Sequence, residues 1–432
     1  MHGSAIYFVG AGFSKALQRS DFPVPLMWDF VKVAASYAAN DNVLLTTLTQ
    51  LEVGCVFSGT TAASMELAAK ISPPQASTPT DREAFLNLLS SRPQENIEDL
   101  LVRADQLAND PKKAPPPFVD RLTLELLPLR FSFAINRVFW HVGWNFSVAP
   151  LHAFLREELP RRRNATFVSF NYDVMLEHGI EEVAPNSWCA ASGYGSAFSE
   201  FVEVGEASKH IDHFSKIGAG GAVGMLKSCS STRTSSGSVT VLKPHGSLNW
   251  LCQFSGNYHF EGYPTHLVLS TDERVAYLNG NNVELLERPH GMPWPNAGIF
   301  ISPPTQKTPL PTILTKEEAA IVDADDVVVI GWSAPPTDRD QVSLIRDAIS
   351  RRRRPFRTVT LIEFSPSRSQ VRRMRELFAP AKVFRLWVGG FESYAQRSVW
   401  TWLSSRLRWW PHGAFGHEPA SSTMPPGVLV GS

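Results

Sequence analysis

Near the start of the chain, an apolar run, Ala5-Ile-Tyr-Phe-Val9, leads directly into Gly10-Ala-Gly12-Phe-Ser14. The run is rich in β-forming residues, and a helical stretch is expected after the glycines. A buried strand, a glycine turn and a helix, in this order, are typical of the first unit of a nucleotide-binding α/β sheet. The full G-x-G-x-x-G pattern would need a third glycine where Lys15 stands, so the turn alone also fits an ordinary strand–helix connection.

Five further runs have the continuous apolar character of strands that are covered on both faces of a parallel sheet. They are Thr166–Phe170, Ser238–Leu242, Asp326–Ile330, Thr358–Ile362 and Lys382–Leu386. Most of them end in a polar or glycine-containing turn, and residues 60–160 between the first two strands are mostly helical in pattern. The sequence therefore predicts an α/β fold, a Rossmann-like parallel sheet with a large helical insertion at about residues 60–160.

We expect one domain to occupy residues 1–409, because its glycine turns and strand ends are spread along most of the chain. The Gly/Ser-rich residues 218–237 predict a flexible loop inside that domain. Residues 410–432 are dominated by Gly, Pro, Ser and His without periodicity, and a disordered tail is predicted there.

The composition excludes some classes of protein. Lys+Arg and Asp+Glu are both 41, so the formal net charge is zero, which argues against a chain built mainly to coat nucleic acid and leaves self-association plausible. Residues 346–385 are nevertheless basic, and they fit either a solvated helix face or a contact with nucleic acid or an acidic partner surface. No apolar run is long enough for a membrane span or a signal peptide, so we expect no membrane association and a cytoplasmic location.

Three polar turns follow the predicted strands, at the edge of the sheet where ligands bind in doubly wound folds. The first is Ser169-Phe-Asn-Tyr-Asp173, in which Asn171 and Asp173 could hold ribose hydroxyls or orient a water, or Asp173 could simply cap a helix. The second places His245 after a strand, as a general base or as an ordinary turn histidine. The third is Gly331-Trp-Ser333, which could contact adenosine or phosphate or could begin a helix.

In combination and in this order, the turns resemble the sirtuin-like family, most closely its bacterial anti-phage defence branch. The resemblance spans roughly residues 5 to 400, and the Asn-Tyr-Asp and His-Gly-Ser-x-Asn-Trp elements are its most specific parts. Asp21–Asp29 is similar to the family's mobile cofactor loop, and Asn96-Ile-Glu98-Asp99 resembles a recurrent segment of the helical part.

The resemblance assigns roles to numbered positions. It implies an NAD-binding turn at Gly10, Ala11, Gly12 and Ser14, a second binding turn at Gly331 and Ser333, and a catalytic histidine at His245. It implies that Asn171 and Asp173 serve both catalysis and binding, with Pro25 in the cofactor loop. Phe13 and Trp332 are predicted to wall off solvent or to belong to the core. Glu363 follows the fifth strand, where a carboxylate could bind the adenosine ribose and favour NAD over NADP.

Two departures from the family pattern direct the functional prediction. The four cysteines, at positions 55, 189, 229 and 252, contain no C-x-x-C pair, so no zinc module and no bound metal are expected. Deacylating sirtuins also carry Gln where this chain has Phe170. We therefore expect an NAD hydrolase, with NAD+ as substrate, that releases nicotinamide and ADP-ribose as the toxic effector of an abortive-infection system.

The alternatives are a non-catalytic NAD or ADP-ribose-binding module and a protein deacylase or ADP-ribosyltransferase. By resemblance, we also expect a homo-oligomer and a partner protein encoded nearby, for instance a sensor or a HerA-type ATPase.

Overall fold

The computed structural model describes residues 3–71, 77–109, 124, 127–142, 146–195, 200–204, 226–227, 237–253, 266–270, 297–301, 311–397 and 427–431. In chain order, the strands of this part are β1 (Ala5–Val9), β2 (Ala165–Ser169), β3 (Glu200–Val204), β4 (Leu226–Lys227), β5 (Val239–Leu242), β6 (Gly246–Gln253), β7 (His266–Ser270), β8 (Ala297–Ile301), β9 (Asp326–Ile330), β10 (Phe356–Glu363), β11 (Ala381–Val388) and β12 (Gly427–Gly431).

The α-helices of the same part are α1 (Ala11–Ala16), α2 (Phe30–Ala38), α3 (Asn42–Val53), α4 (Ala62–Ile71), α5 (Pro79–Ser90), α6 (Ile97–Asn109), α7 (Leu127–Val142), α8 (Val148–Glu158), α9 (Met175–Val183), α10 (Ala190–Gly193), α11 (Pro311–Asp323), α12 (Arg339–Ser350), α13 (Arg368–Leu377) and α14 (Gly390–Ala395). Two 3₁₀ turns, Leu159–Arg161 and Pro336–Asp338, precede β2 and α12.

The main sheet has seven strands in the order β12-β11-β10-β9-β1-β2-β5. The six strands predicted from the sequence correspond to β1, β2, β5, β9, β10 and β11, and they pair in parallel. The seventh strand, β12, pairs antiparallel with β11. All five residues of β1, which lies between β9 and β2, are buried, as expected for a strand covered on both faces. The predicted α/β Rossmann-like fold is confirmed.

The register of the parallel strands brings their carboxyl ends together. Val9 at the end of β1 pairs with Ser169 of β2 and with Ile330 of β9, and Ile330 also pairs with Ile362 of β10. The turns that follow β1, β2, β9 and β10 therefore emerge at the same edge of the sheet. This alignment decides where the predicted binding turns meet.

Helices α2 to α8 lie between β1 and β2 in the chain, and α4 to α8 fall within or overlap the predicted insertion at 60–160. Side chains cap several of them: Asp41 accepts the backbone N–H groups of Val43 and Leu44, and Thr78 accepts that of Asp81. Asp41 also binds Arg137 of α7 at 2.5 Å, so one buried carboxylate both caps α3 and ties it to α7. The helices form a packed layer whose apolar faces are buried.

A second sheet was not predicted. It has the strand order β3-β7-β6-β8, with β4 also paired to β7, and β6 begins immediately after His245. Most of the predicted flexible loop 218–237 lies outside the described residues, although Leu226–Lys227 form β4. The predicted disorder of the 410–432 tail does not extend to Gly427–Gly431, which form β12; the rest of that tail lies outside the described residues.

Candidate functional site

A cavity of about 760 Å³ opens at the carboxyl ends of the parallel strands. Its size is within the range of about 300–1,000 Å³ that is typical of small-molecule sites. Nearly all of the residues singled out from the sequence line it: Gly10, Ala11, Gly12, Ser14, Pro25, Asn171, Asp173, His245, Gly331, Trp332, Ser333 and Glu363. Turns separated by more than 300 positions in the chain therefore form one site.

The two glycine turns pack backbone against backbone. A Cβ atom on Gly10 would lie 2.6 Å from the Gly331 carbonyl oxygen, and one on Gly12 would lie 2.8 Å from the Gly331 Cα. Gly331 has a φ of +61°, a conformation that favours glycine. The N–H of Gly12 donates to the Gly331 carbonyl at 3.1 Å, so this amide is held by the second turn. Glycine is thus required here for close approach of the two turns to each other.

A buried network joins the first turn to the end of β2. The Asn171 side chain donates one N–H to the Gly10 carbonyl at 3.0 Å and the other to Ser14 Oγ at 2.8 Å. Ser14 Oγ in turn donates to Asp173 Oδ2 at 2.7 Å, and Asp173 Oδ1 accepts the backbone N–H of Met175 at 3.1 Å. Asp173 therefore lines the cavity and also binds the first backbone N–H of α9, from the position before the N-cap residue Val174. Its contact with the helix start agrees with the structural interpretation, and its role in holding ribose or water stays a prediction.

A buried ion pair lies beneath the Asn171–Asp173 turn. Lys243 and Glu177 have no exposed side-chain surface, and Lys243 Nζ lies 2.9 Å from Glu177 Oε1. Lys243 Nζ also donates to the backbone carbonyls of Tyr172 and Asp173. Burial raises the pKa of Glu177, and the charge of Lys243 opposes that rise. Lys243 was not selected as a site residue, although it stands two positions before His245; its contacts hold the turn that carries Asn171.

His245 lies between two buried carboxylates. Its Nδ1 is 3.6 Å from Glu98 Oε1, and its Nε2 is 3.3 Å from Asp338 Oδ1. The other oxygen of Asp338 accepts the indole N–H of Trp332 at 2.9 Å. Burial raises the pKa of the adjacent Tyr172 well above its usual range, and the charges of Glu98 and Asp338 raise it further. His245 is therefore held in an acidic, water-poor corner of the cavity.

The same three side chains are of the types that bind divalent metals. One ligand atom of each of Glu98, His245 and Asp338 lies within 4.8 Å of the others. However, each ring nitrogen of His245 faces a different carboxylate. This arrangement suits proton sharing between the three groups better than joint coordination of one ion by a single nitrogen.

Aromatic rings form one wall of the cavity. Phe170 and Trp332 stack with their ring centroids 4.6 Å apart. The centroid of the Phe170 ring also lies 5.3 Å from that of the His245 ring. Phe170 therefore places an apolar ring beside His245. Phe13 does not line the cavity: it is buried against Phe391, with ring centroids 4.8 Å apart. Of the two aromatics left open by the sequence, Trp332 is buried in the core and also lines the cavity, whereas Phe13 belongs to the core alone.

The rim comes from the predicted cofactor loop and from the end of β10. Lys15, which stands in place of the third glycine, donates to the Val24 carbonyl at 2.9 Å and so anchors the loop that carries Pro25. Trp28 and Phe364 line the cavity and are 50% and 78% exposed. Burial raises the pKa of Glu363, the last residue of β10, to about 7. A carboxyl that is partly protonated at neutral pH can donate as well as accept a hydrogen bond.

The two carboxylates beside His245 are not among the site residues that the sequence predicts. Glu98 comes from the first turn of α6, in the helical layer, and Asp338 comes from the 3₁₀ turn before α12. Both precede or begin a helix, so a capping role is the ordinary interpretation of each. Only the contact with His245 distinguishes them, and a contact across three distant segments leaves no local pattern in the sequence.

Several arginines of the basic stretch 346–385 bind other parts of the same chain. Arg352 donates to the carbonyls of Val322 and Ala324 and lies over the Phe356 ring, while Arg357 pairs with Asp326. Arg373 donates to the Ser333 carbonyl at 2.8 Å, next to the cavity. These arginines therefore have structural partners.

Comparison with known proteins gives no relative: neither the search of family models nor that of curated proteins finds a match. Among the residues that the structure describes, no helix has both the length and the apolar character needed to cross a membrane.

Proposed function

We propose that this chain is an NAD hydrolase that cleaves the bond between nicotinamide and ribose. The observation that carries the proposal is the convergence of Gly10, Asn171, His245 and Gly331 on one cavity, together with the family pattern in which these turns occur. The expected reaction consumes NAD+ and water and produces nicotinamide, ADP-ribose and a proton.

The cavity suits a dinucleotide. Its backbone-lined turns at Gly10–Gly12 and Gly331–Ser333 offer close approach for a pyrophosphate, and Glu363 at the end of β10 suits the adenosine ribose. The acidic corner around His245 suits the other end of the substrate. The nicotinamide ring of NAD+ carries a positive charge, and this charge passes to the ribose in the transition state, where carboxylates stabilise it.

The polar residues support a simple sequence of events. The carbon–nitrogen bond breaks, its electron pair leaves with nicotinamide, and the ribose becomes oxocarbenium-like. Both N–H groups of the Asn171 amide are used by Gly10 and Ser14, so its oxygen is the atom it can offer to a ribose hydroxyl or a water. The water adds to the ribose carbon, and His245 accepts its proton and passes it to solvent. Asp173 maintains the geometry of the Ser14–Asn171 network.

The wider role rests on the resemblance. We propose that the protein is the effector of an anti-phage system, that it acts in the cytoplasm and depletes NAD when triggered, and that it works as an oligomer with a partner encoded nearby. Contact of the basic stretch with nucleic acid is part of this proposal. The aromatic wall and the absence of cysteine pairs argue against the deacylase alternative.

The test is NAD consumption by wild type, Asn171→Ala and His245→Ala, each purified with its neighbouring gene products and also expressed in phage-challenged cells. Asn164→Ala, at the opposite end of β2, and His152→Ala, on α8, are the matched controls. We expect nicotinamide and ADP-ribose from wild type and both controls, and at least about a 100-fold slower reaction in the two site variants.

Other outcomes would point elsewhere. Equal consumption by all five proteins would contradict the site assignment. Binding of NAD without release of nicotinamide, under triggered conditions, would favour the binding module. Transfer of label from NAD to protein would favour the ADP-ribosyltransferase, and turnover dependent on an acyl peptide would favour the deacylase.

A further inference from the structure

The helical layer contributes a charged group to the centre of the site. Glu98 is the second residue of α6, is only 2% exposed and lines the cavity opposite the sheet. Asn96 accepts the Glu98 backbone N–H at 2.8 Å, so the start of the helix is capped and the position of Glu98 is defined. Its carboxylate lies 3.6 Å from His245 Nδ1.

A carboxylate beside one nitrogen of a histidine usually sets what the other nitrogen can do. It accepts the proton of the near nitrogen, fixes the orientation of the ring, and stabilises the ring when it becomes charged. In ligand-free sites, the distance between a catalytic histidine and its carboxylate is often longer than a hydrogen bond, and it shortens when substrate binds. The distance from Glu98 to His245 is consistent with such a contact.

The second carboxylate is held differently. Asp338 lies 3.3 Å from His245 Nε2, and its other oxygen is bound to the Trp332 indole, which itself stacks on Phe170. Asp338 is therefore fixed by the aromatic wall. Glu98 projects from a separate layer of the protein, so the two layers meet at His245.

We propose that Glu98 is a positioning residue that acts through His245: it holds the Nδ1 side of the ring so that Nε2, on the Asp338 side, exchanges the proton during the reaction. This inference rests on the proposed function for its kinetic part, but the orientation of the ring can be tested without turnover.

The first experiment is a double-mutant cycle with Glu98→Gln and His245→Ala. Asp99→Asn is the matched control, because Asp99 is also in the first turn of α6 but is exposed. We expect Glu98→Gln to lower kcat by about 100-fold while KM for NAD and the affinity for ADP-ribose stay within about twofold. In the His245→Ala background, the same change should alter the rate by less than about twofold. An equal loss in both backgrounds would overturn the proposal.

The second experiment reads His245 directly. Ring nitrogen resonances of ¹⁵N-histidine-labelled protein can be assigned to His245 by their loss in His245→Ala. We expect Glu98→Gln to shift them and Asp99→Asn to leave them in place. Unchanged resonances in a folded Glu98→Gln protein would overturn the proposal, whether or not NAD is consumed. If Glu98→Gln does not fold, Glu98→Asp, which keeps the charge but shortens the side chain by one methylene, takes its place with the same criterion.

These outcomes separate the two proposals. A shift of the resonances in a protein that never releases nicotinamide, even with its partner and trigger, would support the role of Glu98 and refute the hydrolase. Turnover of wild type that is abolished by a chelator and restored by a divalent cation would mean that Glu98, His245 and Asp338 bind a metal, and would overturn the positioning role.

Discussion

Gly331 shows how one residue controls the site. Its φ of +61° and the approach of its Cα to Gly12 leave no room for a side chain, since an added Cβ would lie 2.5 Å from the Phe13 backbone nitrogen. The atoms in the way are backbone atoms, which cannot rotate aside. The close approach of the two glycine turns therefore depends on a residue without a side chain at position 331.

We predict that Gly331→Ala lowers the free energy of unfolding by about 3 kcal/mol and weakens ADP-ribose binding, because both strain and overlap are introduced. Gly59→Ala is the control: its φ is +77°, but no atom lies within 4 Å of the added Cβ. Strain alone should cost about 1–2 kcal/mol there and leave binding unchanged. Urea unfolding and calorimetric titration measure both effects. An equal loss of stability in the two variants would show that overlap is unimportant.

At the scale of elements, α11 and α12 meet through a buried polar contact. Glu317 of α11 has no exposed surface and pairs with the Gln341 side chain of α12. Burial raises the pKa of Glu317 to about 8. The carboxyl is therefore neutral in the folded protein at pH values where it is ionised in the unfolded chain, whose pKa is about 4.5.

The direction of the pH effect follows from this difference. Because the pKa of Glu317 is higher in the folded than in the unfolded protein, Glu317 lowers the free energy of unfolding as the pH rises. This loss of stability is absent below about pH 4.5, grows as the pH rises toward 8, and is complete above it. We predict that Glu317→Gln, relative to wild type, becomes more stable by a few kcal/mol between pH 5 and pH 9. Denaturant unfolding at several pH values measures this. Glu318→Gln, at the neighbouring half-buried position, should show little of this dependence. A difference between Glu317→Gln and wild type that does not vary with pH would contradict the assignment.

At the scale of the whole molecule, the cavity is shared between two layers. The sheet contributes the turns at Gly10, Asn171 and Gly331, while α6 and the loop before α2 contribute Glu98 and the segment 24–28. The N–H of Ile97 donates to the Met27 carbonyl at 2.8 Å, so the loop and the helix are already joined. A ligand in this cavity contacts both layers.

We predict that ADP-ribose slows amide hydrogen exchange in both layers at once, at residues 24–28 and 97–101 as well as at 10–14 and 171–173. A ligand that contacts both layers stabilises each of them against local opening. Hydrogen exchange with mass spectrometry, with and without the ligand, measures this. The first turn of α5, residues 79–82, does not line the cavity and is the internal control. Protection limited to the sheet turns would contradict a shared site.

The sequence by itself determined the six strands, the parallel arrangement and the glycine and polar turns that meet at the cavity. Strands that are buried on both faces have continuous apolar sequences, so they can be recognised directly. Parallel strands bring their carboxyl ends to one edge of the sheet, so the turns with Gly10, Asn171 and Gly331 could be placed together from their positions in the chain. Only the tertiary structure decided the contact of Glu98 and Asp338 with His245, the place of Phe13 in the core, and the second sheet. Those features depend on how separate layers pack, and packing between distant segments leaves no periodic pattern along the chain.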